Sequence, residues 1–300
     1  MRGQKAYAIA MRAPDGKVIV HTDKLARVYR SGLAGIPFLR GVILLWDALG
    51  LGMRALTISA NTQTGEDEKL EGPALYLTLG LSLLLGIGLF FLLPAAVGGW
   101  VESLFIPTTA SGAGVLPAAA TLSSTSPSIQ GGLWVGNLLE GLLRLLLLVG
   151  YIWGIGLLPD VRRLFAYHGA EHKTINAYEA GAELTPESTA KFPLEHVRCG
   201  TAFMLTLVFF SILVFTALGP LPLLWRLISR VLLIPVLAGL AVEYIRWTAN
   251  HLGNPFVQWL VKPNLALQRL TTREPDASML EVAIRSFNAM RAAEQEQASV

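Results

Sequence analysis

Charge and thiols are both scarce in this chain. Charged residues make up 15% of it and apolar types 53%, whereas soluble domains carry roughly 25% charged residues. That balance excludes an ordinary soluble enzyme and points to an integral membrane protein. The one cysteine, Cys199, excludes an intramolecular disulfide, and a lone thiol suits a reducing compartment. No G-x-x-x-x-G-K-[ST] or G-x-G-x-x-G run occurs, so nucleotide binding has no support. The opening "MRGQKAYAIAMRAPDGK" lacks the continuous apolar core and small-residue cleavage site of a signal peptide. There is no internal repeat.

What the chain does have is long apolar runs. A helix needs about 20 apolar residues to cross a bilayer, and four stretches qualify. The first is uncharged from Gly72 to Val101. The second, "NLLEGLLRLLLLVGYIWGIGLLP", carries Glu140 and Arg144 at i,i+4, where they can pair along one face. The third, "GTAFMLTLVFFSILVFTALG", is again clean. The fourth runs from about Leu223 to Trp247, with Arg226 and Arg230 near its start, pairing with Glu140 or reaching the surface, and Pro235 inside. Near the other end, Glu243 and Arg246 are expected to pair locally.

Basic residues orient these runs. Of 24 Lys and Arg, ten lie in residues 1–72, five in 159–199 and five in 247–300, while 98–136 has none. Basic segments favour the cytoplasmic side, which places both termini and the 159–199 loop inside. The expected organisation is therefore a cytoplasmic N-terminal region (1–72), two transmembrane helices (73–158) joined by a flexible outer loop at about 100–133, the inner loop 159–199, two more transmembrane helices (200–247) and a helical cytoplasmic tail (248–300).

The polar parts have their own grammar. "KAYAIAMRAPDGKVIVHTD" reads as two short strands around the turn Ala13-Pro14-Asp15-Gly16. Residues 35–58 are apolar but interrupted by Arg40, Asp47 and Arg54, and read as an amphipathic or re-entrant helix at the interface. A fifth span there would put Lys24, Arg27 and Arg30 outside. In the tail, Asp276 or Ser278 is a candidate cap, and Met279, Val282, Ala283, Phe287 and Met290 fall on one helical stripe. The fold class is thus an all-α polytopic membrane protein: about four transmembrane helices, an interfacial helix and a small N-terminal cytoplasmic β-hairpin.

The chemistry concentrates in "YHGAEHKTINAYE", Tyr167 to Glu179. His168-x-x-Glu171-His172 puts the two imidazoles about 40° apart on a helix. They and the carboxylate can share one focus. Imidazole suits zinc and similar metals, and a neighbouring carboxylate can serve as ligand or as base for a metal-bound water. Formally the order is that of the inverzincin proteases, although chance matches to so short a pattern are frequent. His196 and Cys199 lie just before the third run, at the same membrane face. The candidate metal ligands are therefore His168, His172, His196 and Cys199, with Glu171 as the candidate catalytic base; Glu179, Glu183 and Glu195 are nearby oxygen donors. The bland alternative is a helix leaving the membrane with Tyr, His and Lys at headgroup level, and a Cys199 that is simply packed.

The runs "YHGAEHKTINAYEAGAELTPES…HVRCGTAF" and "LQRLTTREPDASMLEVAI" resemble the YqhQ-like family of bacterial membrane proteins, a domain of unknown function often described as a metal-dependent enzyme. The resemblance covers most of the chain from about Leu145. It implies a bacterial inner-membrane protein with His168, Glu171, His172, Lys173, Arg198, Cys199, Gly200 and Thr201 as signature positions. The N-terminus departs from the family's G-G-Q-A-V-x-E-G-V-M-M-R stretch: Gly3, Gln4, Met11 and Arg12 fit, but the acidic residue is missing. Val197 stands where the family has proline.

Three functions fit these residues. The first is a membrane scaffold or subunit whose cytoplasmic cluster is held by hydrogen bonds or a metal, associating with itself or another membrane protein. The alternative is a membrane-bound metal-dependent hydrolase, zinc being the first choice of metal. A second alternative is an oligomeric channel or transporter using Arg226, Arg230 and the break at Pro235. The expected partners are the lipid bilayer and a second copy or membrane protein, with no nucleic acid.

Overall fold

The computed structural model describes residues 1–25, 35–64, 73–105, 127–219 and 221–298. Most of the outer loop expected at about 100–133, and Arg27 and Arg30, lie outside these residues. The chain divides into two compact units: Met1–Leu75, Tyr151–Thr206 and Ala238–Val300 form the first, Tyr76–Gly150 and Leu207–Leu237 the second.

The first unit opens with an antiparallel hairpin, β1 (Ala6–Arg12) and β2 (Val18–Lys24), registered Ala6 to Lys24 and Arg12 to Val18. Ala13 N–H donates to the Lys17 carbonyl at 2.9 Å, closing the expected turn. α1 (Leu39–Thr64) follows. Its polar residues Arg40, Asp47 and Arg54 recur every seven positions and so share a face. Each finds a partner: Arg40 with Glu243, buried Asp47 with Arg2, and Arg54 with the Tyr7 hydroxyl at 2.9 Å. Glu243 therefore pairs across to α1 instead of with nearby Arg246. The large apolar side chains Trp46, Leu49 and Leu56 remain exposed.

α2 (Pro73–Ile87) continues through a π-helical turn, Gly88–Leu92, into α3 (Leu93–Phe105). α4 spans Pro127–Ile155, so helix begins within the stretch read as outer loop. α5 (Pro159–Glu179) and the short α6 (Pro186–Thr189) belong to the first unit, followed by α7 (Gly200–Ala217). α8 (Leu223–Leu232) and α9 (Ile234–Asn250) are separate helices. The expected fourth span breaks there because Pro235, lacking an N–H, is tolerated in the first turn of a new helix and not in the middle of an old one.

Among the described residues, four helices are long and apolar enough to cross a membrane: Leu39–Thr62, Leu77–Val101, Gly136–Ile155 and Gly200–Ala217, with α8 and α9 a fifth if that pair counts as one crossing. Three agree with the sequence reading. The fourth is α1, whose length and apolar content suit the alternative of a further span in place of an interfacial helix.

α10 (Pro255–Thr271) and α11 (Ala277–Ala298) complete the first unit. Asp276 caps α11, accepting from Met279 N–H at 2.9 Å and from the Ser278 hydroxyl at 2.6 Å. Phe287 and Met290 pack on Ala8 of the hairpin, while Leu280 and Ala283 pack on Ala170 of α5. Burying a side chain such as Phe287 contributes about 1.5–3 kcal/mol. Arg12 to Glu281 at 2.8 Å and Lys5 N–H to Glu294 at 2.9 Å fix the register. α11 thus ties the hairpin to α5.

In the second unit Glu140, Arg144 and Arg230 form a buried triad, and Arg226 is buried as well and does not reach the surface. Arg230 grips Glu140 bidentately at 2.9 and 2.7 Å, and Arg144 reaches the same carboxylate at 2.9 Å, as its i,i+4 spacing predicted. Arg144 also donates to the Phe90 carbonyl in the π turn and to the Ser211 hydroxyl, both at 2.8 Å. All three charged side chains are essentially inaccessible.

Candidate metal centre

α5 carries the centre, and its ends are well specified. Pro159 opens it at the first helical position with Asp160 in the first turn. It closes with a Schellman turn: Ala182 N–H bonds the Ala177 carbonyl at 2.9 Å and Gly181 N–H the Tyr178 carbonyl at 3.0 Å. Gly181 has φ 71°, a left-handed conformation that glycine tolerates without strain. On the inner face, Gly169 lets the Arg273 backbone approach closely; a β-carbon there would overlap the Arg273 carbonyl oxygen. That approach brings Thr271 beside His168.

The two histidines face the same point, their ring centroids 4.3 Å apart. Each Nδ1 is committed to a backbone carbonyl, His168 to Thr271 at 2.9 Å and His172 to Leu194. A carbonyl only accepts, so each Nδ1 carries hydrogen and each Nε2 is left for the centre. His168 Nε2 lies 3.3 Å from Cys199 Sγ. Ligand atoms of His168, His172 and Cys199 all fall within 4.8 Å of one another.

Cys199 immediately precedes α7, and its sulfur receives Thr201 N–H at 3.4 Å, with the Thr201 hydroxyl at 3.1 Å. Burial pushes the thiol up, but hydrogen bonds and charge from His168 and His172 outweigh it and bring its pKa from the ordinary 9.0 to about 5. For His168, burial works downward, yet bonding to Cys199 and the Thr271 carbonyl leaves it raised. Both shifts arise from the same contact, which favours a thiolate on Cys199 and a proton on His168.

The remaining sequence candidates sit around this group. His196 is buried, its ring centroid 6.0 Å from that of His172. Its Nδ1 accepts from Arg198 N–H at 3.4 Å and its Nε2 donates to Glu179 at 3.3 Å, so both nitrogens are engaged elsewhere. Burial outweighs the Glu179 contact and holds His196 below its ordinary value. Glu171 is half-exposed, 4.0 Å from the Met1 amine, outside the three-ligand group. Glu195 pairs with Arg269 at 2.9 Å. Lys173, which the family resemblance marks as a signature position, buries its ammonium on the carbonyls of Ala190 and Phe192 at 2.7 and 2.8 Å and on Glu274 at 2.7 Å. It clamps the 186–194 segment that delivers the Leu194 carbonyl.

Sequence reasoning missed the supporting shell. Gln268, fully buried in α10, holds the His196 peptide with two 2.9 Å hydrogen bonds, one each way. Thr271 and Leu194 act through main-chain carbonyls, which leave no mark on residue identity. Gln268, with Asn264 and Thr271, lies on the helix face that buries Val257, Val261 and Leu267, and these polar residues on an apolar stripe are the readable signal.

Apolar helices of membrane-crossing length suggest a membrane-associated protein, and the first unit brings His168, His172 and Cys199 together in one group that could hold a metal ion. The chain belongs to the family described as "Protein of unknown function (DUF1385)", matched over residues 36–293. It is 33% identical over 303 residues to "Uncharacterized protein YqhQ" of Bacillus subtilis (strain 168), covering 95% of this chain and 87% of that protein. No solved structure matches the chain.

Proposed function

We propose that the protein is a bacterial inner-membrane metalloprotein in which His168, His172 and Cys199 hold one divalent ion, zinc before others, for a hydrolytic reaction. One observation carries this reading: three ligand atoms of borderline and soft character converge within 4.8 Å, with both imidazoles oriented from behind by backbone carbonyls. Metal-bound histidines almost always show that outer hydrogen bond. Three protein ligands are also the usual complement of a catalytic zinc site, where the remaining position takes water or substrate. Zinc held there supplies Lewis acidity and an acidified water.

The chain's own groups do the rest. The contact that favours a thiolate on Cys199 also favours a proton on His168, and metal binding would release that proton. His196 and Glu179 form a hydrogen-bonded pair next to His172 that can hold a proton near the centre. Glu171 stands beside the ligands on α5 as a second carboxylate. The scaffold reading expected from the sequence, with its cluster held by hydrogen bonds or a metal, explains the buried Lys173 clamp and accommodates the same three ligands, but gives the open fourth position of a three-ligand site no task.

A second reading has its own support: Cys199 as nucleophile with His168 as its proton partner, favoured by the 3.3 Å contact and the low thiol pKa. Metal analysis of the purified protein decides between them. The proposal expects one zinc-class ion per wild-type chain and none in the His168→Ala, His172→Ala double variant. After chelation, ultraviolet thiolate absorbance should titrate with a midpoint near 5 instead of 9.0, the thiolate disappearing only as pH falls through that value. A metal-free wild type with that same titration would leave the nucleophile reading standing and sink the metal centre.

A further inference from the structure

The first two turns of α10 present an apolar, cationic face that the centre does not use. Phe256 and Trp259 are stacked with centroids 6.1 Å apart, and each is more than half exposed, 61% and 62%. Buried aromatics contribute to a core; an exposed stacked pair one helical turn apart is a surface that fits something apolar. Asn254 caps the helix through the Phe256 N–H at 2.9 Å, and Pro255 at the first position stiffens the entry, so the pair sits on ordered backbone.

The surroundings identify the occupant. α10 follows directly on α9, and the end of α9 packs near the start of α10 through the Tyr244 hydroxyl on the Leu260 carbonyl at 3.3 Å. That end exposes Arg246 and Trp247, with the exposed His251 ring 5.4 Å from Trp247. Exposed Lys262 lies one turn beyond Trp259. From Tyr244 to Arg273 the sequence contains no Asp or Glu. Aromatic rings edged by cations, with acids excluded over the whole segment, match the anionic headgroup layer of a bilayer.

Depth follows from the backbone. Pro263 has no N–H, so the Trp259 carbonyl four residues earlier lacks its helical donor. Such a carbonyl is costly in hydrocarbon and cheap among hydrated headgroups. The face therefore belongs at the interface and not in the bilayer core.

We infer that Phe256, Trp259 and Lys262, with Arg246, Trp247 and His251, form a foot that docks on an anionic lipid surface. The same helix carries Gln268 and Thr271, which brace His196 and His168, so the foot and the support of the centre share one helix. Twelve residues from Trp259 to Thr271 correspond to roughly 18 Å of helix. The inference stands whether or not the centre holds metal.

The test uses the full chain reconstituted in vesicles. Trp259→Cys in a Cys199→Ser background takes an environment-sensitive fluorophore at the foot. In phosphatidylglycerol-containing vesicles the probe should be shielded from aqueous iodide and quenched by lipids labelled near the headgroup. Arg246→Gln plus Lys262→Gln should weaken the attachment by about 25-fold, a fivefold loss per cation. Because removing Cys199 could disturb the fold, the Cys199-containing chain is measured in parallel. There Trp259→Phe should remove a tryptophan component that shallow brominated lipids quench. A probe open to iodide in those vesicles overturns the foot. Shielding that persists in detergent and rises with protein concentration also overturns it, showing a second copy on this face.

Discussion

Glu140→Ala should abolish accumulation of the folded protein, or cost about 3–5 kcal/mol if any folds, the penalty for removing one partner from a buried ion network. The carboxylate is shared by Arg144 and Arg230, at 2.9 Å from one and 2.9 and 2.7 Å from the other. Both guanidiniums also lie over the Phe215 ring, 5.2 and 4.1 Å from its centroid. Without Glu140 two positive groups face each other with no anion between them. The sign reverses when the network is removed whole. Glu140→Leu, Arg144→Leu and Arg230→Met together should recover most of the stability, since well-packed apolar replacements of buried ion networks are often neutral or better. Thermal unfolding of the purified variants in detergent measures both. A single variant as stable as wild type would show that the triad is not buried as described.

Cys199→Ser and His196→Ala should separate the ligands from their surroundings. Structural zinc sites with four protein ligands contribute roughly 10–16 kcal/mol, about 3 kcal/mol per ligand, so losing the Cys199 ligand should weaken zinc on the order of 100-fold. His196 bonds Glu179 and lies outside the three-ligand group, so its loss should cost about 10-fold, the lower end for supporting residues. Competition with a chelator of known affinity reads both. Equal losses would put His196 in the coordination shell.

Local grammar was legible wherever the chain interacts with its near neighbours. The hairpin followed from its Pro-Asp-Gly turn, the Asp276 cap from its place before an apolar stripe, and the Glu140–Arg144 pair from i,i+4 spacing. The convergence of His168 and His172 followed from helical geometry, and the juxtaposition of Cys199 was suggested by its place in the same polar segment. Spacing could not say which way His196 turns: Gln268, seventy-two residues away, clamps its peptide, and Glu179 takes its ring. The pairing of Glu243 with Arg40 instead of Arg246 is likewise a contact across 203 positions. α1 is ambiguous from sequence because three polar residues at heptad spacing share one side of the helix, each paired with a residue outside it, while large apolar residues remain exposed. The carbonyls of Thr271 and Leu194, which orient both imidazoles, are invisible in residue types.

The central claim is that two imidazoles and one thiolate of this chain bind a single ion. X-ray absorption at the zinc edge, on wild-type protein loaded with one equivalent of zinc, tests it most directly. The account predicts one sulfur and two imidazole nitrogens in the first shell, with a light atom completing it, and loss of the sulfur signal in Cys199→Ser. A shell of oxygen and nitrogen alone in the wild type, or a sulfur signal that survives that substitution, would contradict it.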